Sequence, residues 1–150
     1  MDFPVHIPFV EQLGFELVAV GDGEAEVAVA LGERHLNSFK VAHGGVTMTL
    51  LDVAMAHAAR SVNRHRRHFG PGVVTIEMKT SFIRPGLGRL RGLGTLLSRT
   101  ATLAFCEARV LGEDGTLCAH ATGTFKYMSA LPTGTRAATP LQGREPGGSD

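Results

Sequence analysis

The sequence predicts an α+β domain: one long buried helix wrapped by a curved antiparallel sheet. Three observations carry this. Residues 46–59 are an almost unbroken apolar run of helical length, apolar on nearly every face, with one carboxylate, Asp52, inside it. The residues that follow read as a series of strands separated by Gly- and Pro-rich turns. The order is hairpin, helix, then strands, with no alternation of strand and helix, which points to one antiparallel sheet packed on a helix. A chain of 150 residues makes one domain. That domain is expected over 1–128, with 129–150 as a disordered tail.

The elements follow in order. Residues 7–15 read as a short opening helix, with Pro8 in its first turn and Gly14 at its end. Glu16 to Leu31 alternates, with Ala25, Val27, Val29 and Leu31 on one parity, and Gly21-Asp22-Gly23 as the turn of a hairpin. Residues 32–43 read as a loop with room for one helical turn. The long helix follows Gly44-Gly45. Beyond it, Val74, Ile76, Met78 and Thr80 are expected on one face of a strand, and Thr75, Glu77, Lys79 and Ser81 on the other. Further strands are expected over Arg89 to Ser98, Thr102 to Leu111 and Thr116 to Met128, with turns at Pro85-Gly86-Leu87-Gly88 and Gly112-Glu113-Asp114-Gly115. From Ser129 the chain is punctuated by Pro and Gly and poor in large apolar residues, the composition of a tail.

Composition narrows the function. Fifteen basic residues nearly cancel fourteen acidic ones, so nothing demands nucleic acid or an anionic membrane. Charged residues make up 19%, below the usual quarter or so, which suits a chain that hides surface against its own copies. The basic residues cluster at Arg60-Ser61-Val62-Asn63-Arg64-His65-Arg66-Arg67-His68. That run reads as a solvated helix end, a patch for a phosphorylated substrate, or a nucleic-acid site; no RNA-reading aromatics accompany it. Cys106 and Cys118 lack metal-ligand spacing and are expected as buried free thiols in a reducing compartment. The seven histidines form no ligand pattern either, so neither metal nor cofactor is expected. The N-terminus carries no secretory signal pattern and no stretch reaches membrane-span length, so the cytoplasm is the default.

Asp52 is the first candidate for chemistry, because a carboxylate is costly to bury. It is either a structural group satisfied by local donors, or a base or nucleophile in a dry site. Gly44 and Gly45 stand at the helix start, where glycine permits close approach and unpaired backbone N–H groups can receive negative charge. That is the chemistry of an oxyanion hole. Eight residues separate Gly44 from Asp52, roughly 12 Å along a helix. A site using both is then shared across a two-fold axis.

Asn37-x5-His43-Gly44-Gly45-x6-Asp52 resembles the signature of hotdog-fold thioesterases of the phenylacetate-pathway (PaaI-like) branch. Gly14-Phe15, Gly23-Glu24-Ala25, Ser81-Phe82-Ile83-Arg84-Pro85, Gly115-Thr116-Leu117-Cys118-Ala119 and Thr122-Gly123-Thr124-Phe125 add to the resemblance, which covers 7–128. It implies hydrolysis of acyl-CoA thioesters, aromatic or medium-chain. It also implies a homodimer with its sheets joined edge to edge and two shared sites, often paired again into a tetramer. The Gly44 N–H would hold the thioester carbonyl, and Asp52 of the opposite subunit would attack it or activate water. Asn37 would hold the carbonyl or the water, His43 would support the loop and the sulfur side, and Thr75 would orient the water. Ala56 stands where some relatives place a hydroxyl. On the residues alone, Asn37 can equally be a loop cap, His43 a structural hydrogen-bonder and Thr75 an ordinary strand residue. His57 is expected in the core or an interface. Arg84, Arg64 and Arg67 are candidates for the CoA phosphates, and Arg89, Arg91 and Arg99 read as exposed strand residues. Leu36, Phe39, Leu51, Met55 and Ala59 are candidates to shape the acyl pocket. The rival readings are an acyl-thioester hydratase or dehydratase and a non-catalytic acyl-CoA-binding domain.

Overall fold

The long helix, α2 (Gly44–Ser61), starts at His43, whose backbone is extended and whose ring accepts a hydrogen bond from the Gly45 N–H. It ends where the Ser61 hydroxyl donates back to the Ala58 carbonyl and accepts from the Gly23 N–H. Leu50, Leu51, Ala54, Met55, Ala58 and Ala59 are fully buried. Burying one large apolar side chain contributes roughly 1.5–3 kcal/mol, so the apolar run explains why the helix lies inside the domain.

The computed structural model describes residues 1–63, 71–132 and 138–143. The other elements are α1 (Pro8–Gln12), β1 (Glu16–Gly21), β2 (Glu24–Ala30), a 3₁₀ turn at Glu33–His35, β3 (Gly72–Phe82), β4 (Arg89–Arg99), β5 (Leu103–Leu111), β6 (Leu117–Met128), β7 (Ala130–Pro132) and β8 (Ala138–Pro140). Six strands form one antiparallel sheet in the order β1-β2-β4-β5-β6-β3, and β7 and β8 pair separately. Among the described residues no helix is long and apolar enough to cross a membrane. The β1–β2 turn uses left-handed backbone at Asp22 and Gly23, with φ 54° and 81°, which suits a tight hairpin.

The sheet curls around α2, and two glycines of β4 set how closely. A Cβ on Gly92 would stand 2.8 Å from Leu50 Cγ, and one on Gly94 would overlap the Ala54 carbonyl. The strand that looks poor in β-branched residues is one on which the helix backbone rests directly. Gly94→Val is therefore expected to destabilise the protein by about 3 kcal/mol or more. An unchanged midpoint in chemical denaturation would contradict this packing. The N-terminal segment reaches α2 through Phe3. Phe3 packs on the His57 ring with centroids 5.0 Å apart, and Val5, Val10 and Phe15 are buried nearby in sequence. His57 is a core residue, as its place on the helix predicts.

Two sequence expectations are corrected. The first concerns β3, which does not keep one parity: its register against β6 shifts between Thr75 and Glu77. The extra residue, Ile76, is 54% exposed. Val73 and Thr75 therefore face the helix on one side of the bulge, and Met78 does so on the other. The expected grouping of Val74 and Ile76 with Met78 and Thr80 fails because alternation restarts at the bulge. The second concerns the tail. Residues 130–132 pair with 138–140, Leu141 lies against Gly72, and Gly143 bridges to Val5. Proline does not prevent this, because both Pro132 and Pro140 sit at hairpin ends. The remainder of the predicted tail lies outside the described residues.

Candidate active site

The predicted site residues fall into two groups on the same helix. The first lies at its N-terminus, in an open cavity of about 410 Å³ lined by Asn37, Gly44, Thr47, Phe82, Arg84 and Cys118, among others. Its floor is the start of α2. Val46 and Thr47 direct their N–H groups to the His43 carbonyl, and Gly45 directs its own to His43 Nδ1. The Gly44 N–H has no acceptor among the described residues. It is the donor that the helix start leaves open, at the positive end of the helix dipole.

Asn37 holds the loop leading into this helix. Its Oδ1 accepts from the Phe39 N–H at 2.9 Å and the Val41 N–H at 3.3 Å, and its backbone N–H and carbonyl bond Val41 and Lys40. The left-handed Lys40 (φ 61°) completes the turn. Asn37 is thus a loop cap whose amide N–H₂ has no hydrogen-bond partner among the described residues, so capping leaves open the second role anticipated for it. His43 is exposed and acts as the helix cap.

The second group is Asp52 and Thr75. The Thr75 hydroxyl, on β3, donates to Asp52 Oδ1 at 2.6 Å. Burial raises the Asp52 pKa above the ordinary carboxylate range, and the Thr75 hydrogen bond works against that rise. The carboxylate is thus a stronger base than an exposed aspartate, held in orientation by one hydroxyl.

The structure does not bring the two groups together in one chain. Gly44 lies beside the Phe82 ring at one end of β3, and Asp52 lies beside Thr75 toward the other. Arg84 borders the Gly44 cavity, whereas Arg64 and Arg67 lie outside the described residues. Phe39 is 85% exposed on the loop and does not line this cavity. Leu51 and Met55 are fully enclosed in the core, with Met55 packed over Gly123 of β6, so neither is open to a ligand in the single chain. Arg89 and Arg91 pair with Glu16 and Glu26, and Arg99 donates to Asn63.

Elsewhere, a larger cavity of about 750 Å³ spans the outer face of the sheet. It is lined by Glu26, Glu107, Arg109 and His120, among others, and contains none of the predicted site residues. Two of these carboxylates are paired within the chain, Glu26 with Arg91 and Glu107 with His120. Both cysteines are free and buried, and burial pushes the Cys106 thiol up to about 12, leaving it protonated at neutral pH.

Sequence reasoning missed Thr47. It is a buried residue in the cavity wall, three residues after Gly44. A polar side chain one turn beyond the glycines was the available signal, masked by the apolar character of the whole helix.

Comparison with known proteins places these features in a family. The profile described as Thioesterase superfamily matches residues 39–119, from the Asn37 loop into β6. A conserved protein of Pseudomonas aeruginosa, PA5202, is 31% identical, with 83% of this chain and 97% of that chain covered at a TM-score of 0.74. A variant of the phenylacetic acid degradation protein PaaI from Thermus thermophilus is 29% identical over 80% of this chain and 98% of that chain, with a TM-score of 0.69. The E. coli PaaI protein from the phenylacetic acid degradation operon shares the fold at 20% identity, with 80% and 83% covered and a TM-score of 0.71. With a helix wrapped by an antiparallel sheet, an open N–H at the helix start and a profile match over more than half its length, the chain belongs to the Thioesterase superfamily and has the hotdog fold.

Proposed function

We propose that the protein hydrolyses acyl-CoA thioesters, aromatic or medium-chain, in sites shared between two copies, with dimers pairing again into tetramers. One observation carries this: an open N–H donor and an oriented, basic carboxylate lie at two separate points along α2 and β3. Neither is sufficient alone. A donor polarises a carbonyl, and a carboxylate without it faces an unactivated thioester.

Strand β3 is an edge of the sheet, 11 residues long, with Ile76, Phe82 and the adjoining Ile83 exposed. An edge of that length and character is a template for another strand. Antiparallel pairing of β3 with the same strand of a second copy would run each carboxylate end toward the other copy's donor end. Setting Thr75 opposite Phe82 of the partner subunit puts the two-fold axis between Met78 and Lys79, inside the strand. Each site then has Asp52 and Thr75 from one subunit and Gly44 and Asn37 from the other.

In the proposed reaction the thioester carbonyl rests on the Gly44 N–H and the Asn37 amide. Asp52 of the other subunit takes a proton from water, which adds to the carbonyl, or adds itself to form an anhydride that water opens. CoA leaves as the thiol. His43 keeps the donor loop in place through its cap. The similarity to a phenylacetic acid degradation protein from Thermus thermophilus supports an aromatic acyl group, and the free thiols support a reducing compartment such as the cytoplasm. The test is hydrolysis of benzoyl, phenylacetyl, short and long aliphatic CoA thioesters, read as free thiol. No turnover by folded, oligomeric protein on any of them would overturn the reading.

Thr75 adds a pH prediction. Asp52 must be ionised to act, so activity falls as pH drops through its pKa. Burial places that acid limb above the ordinary range for aspartate. Thr75→Val removes the hydrogen bond that opposes the rise, so the limb moves to still higher pH. Profiles of kcat/KM against pH for the two proteins check this; coincident acid limbs would mean that the bond plays no part in the working enzyme.

A further inference from the structure

Just beyond the C-terminal end of α2 is a separate cavity of about 400 Å³, lined by Asn63, Pro71, Arg99, Thr100, Ala101 and Tyr127. None of the residues placed in the proposed reaction borders it.

Its wall is rich in donors and holds no carboxylate. Asn63 is 5% exposed, and its Oδ1 accepts from the Arg99 guanidinium at 2.8 Å. That bond orients the guanidinium and leaves the Asn63 N–H₂ as a further donor. Arg89 and Arg91 are paired with glutamates, but Arg99 forms no ion pair among the described residues. The Thr100 hydroxyl accepts from the Thr102 and Leu103 N–H groups, so its proton is directed elsewhere. Tyr127 donates to the Ala59 carbonyl at 2.7 Å, and burial raises its pKa while the nearby Arg99 cation opposes that rise.

The surrounding chain supplies no counter-charge. Arg60, in the last turn of α2, donates to the Pro71 carbonyl. The seven residues that join Asn63 to Pro71 contain three arginines and no acid. A guanidinium held in place by a buried amide, with no carboxylate beside it, recognises an oxyanion through paired N–H donors.

We propose that this cavity binds phosphate, with Arg99 supplying the charge and Asn63 and Thr100 supplying further donors. The site does not depend on the thioesterase reading. Its phosphate belongs either to the nucleotide of a CoA ester or to the free ion, and the recognition chemistry is the same for both.

Melting curves in potassium phosphate and in potassium chloride, at matched pH and ionic strength, test the site. The wild type is expected to melt higher in phosphate, by an amount that grows with phosphate concentration. Arg99→Gln should lose most of that response. A response equal in the two proteins is the general effect of an excluded salt and overturns the site. Absence of any response in the wild type overturns it without a variant. Should Arg99→Gln not fold, Asn63→Asp, which gives the guanidinium a carboxylate within the chain, is expected to lose the response instead, and a response retained there overturns the site. Calorimetric titration with CoA and with pantetheine then separates the two sources. If the nucleotide is the source, Arg99→Gln binds CoA about tenfold more weakly than the wild type and binds pantetheine equally well. If the free ion is the source, the two proteins bind CoA alike. A wild type that responds to phosphate but binds no CoA counts against the thioesterase reading and leaves the phosphate site standing.

Discussion

Asp52→Asn is expected to lower kcat on a CoA thioester at least a hundredfold and, at pH 7, to raise the melting temperature. The first effect follows from the chemistry. An amide neither takes a proton from water nor adds to a carbonyl, and loss of a general base costs about 10²–10⁴ in rate. The second follows from the direction of the pKa shift. Burial raises the Asp52 pKa in the folded chain, so folding favours the protonated form. The favourable contribution is complete below the unfolded pKa and is lost as pH rises through the folded one. At pH 7 the ionised group therefore works against folding. Asparagine removes the charge and retains an oxygen for the Thr75 hydroxyl. A stability curve and a rate measured on one preparation would show opposite changes. A variant that keeps wild-type turnover would end the catalytic role of Asp52, and one that melts lower would show that the charge is compensated in the assembled protein.

Gly44→Pro should match that loss of activity without unfolding the helix. Proline is well tolerated at the first helical position, where the N–H it lacks makes no intrahelical bond. His43 already has the extended backbone that a following proline requires, with φ −61° and ψ 137°. A Cβ on Gly44 meets only the Phe82 ring, at 3.4 Å. Removing one oxyanion donor costs about 10²–10³ in kcat, whereas Gly44→Ala, which keeps the N–H, should cost far less. The two disabled chains also test the sharing of sites. Co-expressed Asp52→Asn and Gly44→Pro chains form mixed dimers in which one site carries both lesions and the other carries neither. Random assortment should restore about a quarter of wild-type activity. Absence of any recovery in a purified mixed dimer would place donor and carboxylate in one chain and overturn the shared site.

Much of this architecture was legible because it is written in patterns that burial enforces. Thirteen of the fourteen residues of the run 46–59 are uncharged, and the resulting helix packs against the sheet with most of its side chains buried. The two halves of the candidate site can be picked out in the sequence as well. Asp52 stands out as a charge in an apolar run, and the glycines mark a helix start. What stayed hidden depends on contacts between elements. Nothing local in Gly92 and Gly94 says that they meet the backbone of α2. The Thr47 hydroxyl is conspicuous only once a cavity is seen beside it. The pairing of Thr75 with Asp52 depends on which way one strand residue points, and a single inserted residue decides that. The short β7–β8 hairpin lacks the alternation by which longer strands announce themselves.

That inserted residue, Ile76, gives β3 two reading frames. Upstream of it, odd-numbered positions face the helix and deliver Thr75 to Asp52; downstream, even-numbered positions do so and deliver Met78 to the core. The strand can therefore satisfy the carboxylate in one frame and the core in the other. Changes near Thr75 can alter the chemistry without disturbing the register of the packing beyond Glu77. Excising residue 76 would merge the frames into one alternation with Thr75 and Met78 still on the helix face, so what the strand would lose is the local bend and twist that the bulge gives it.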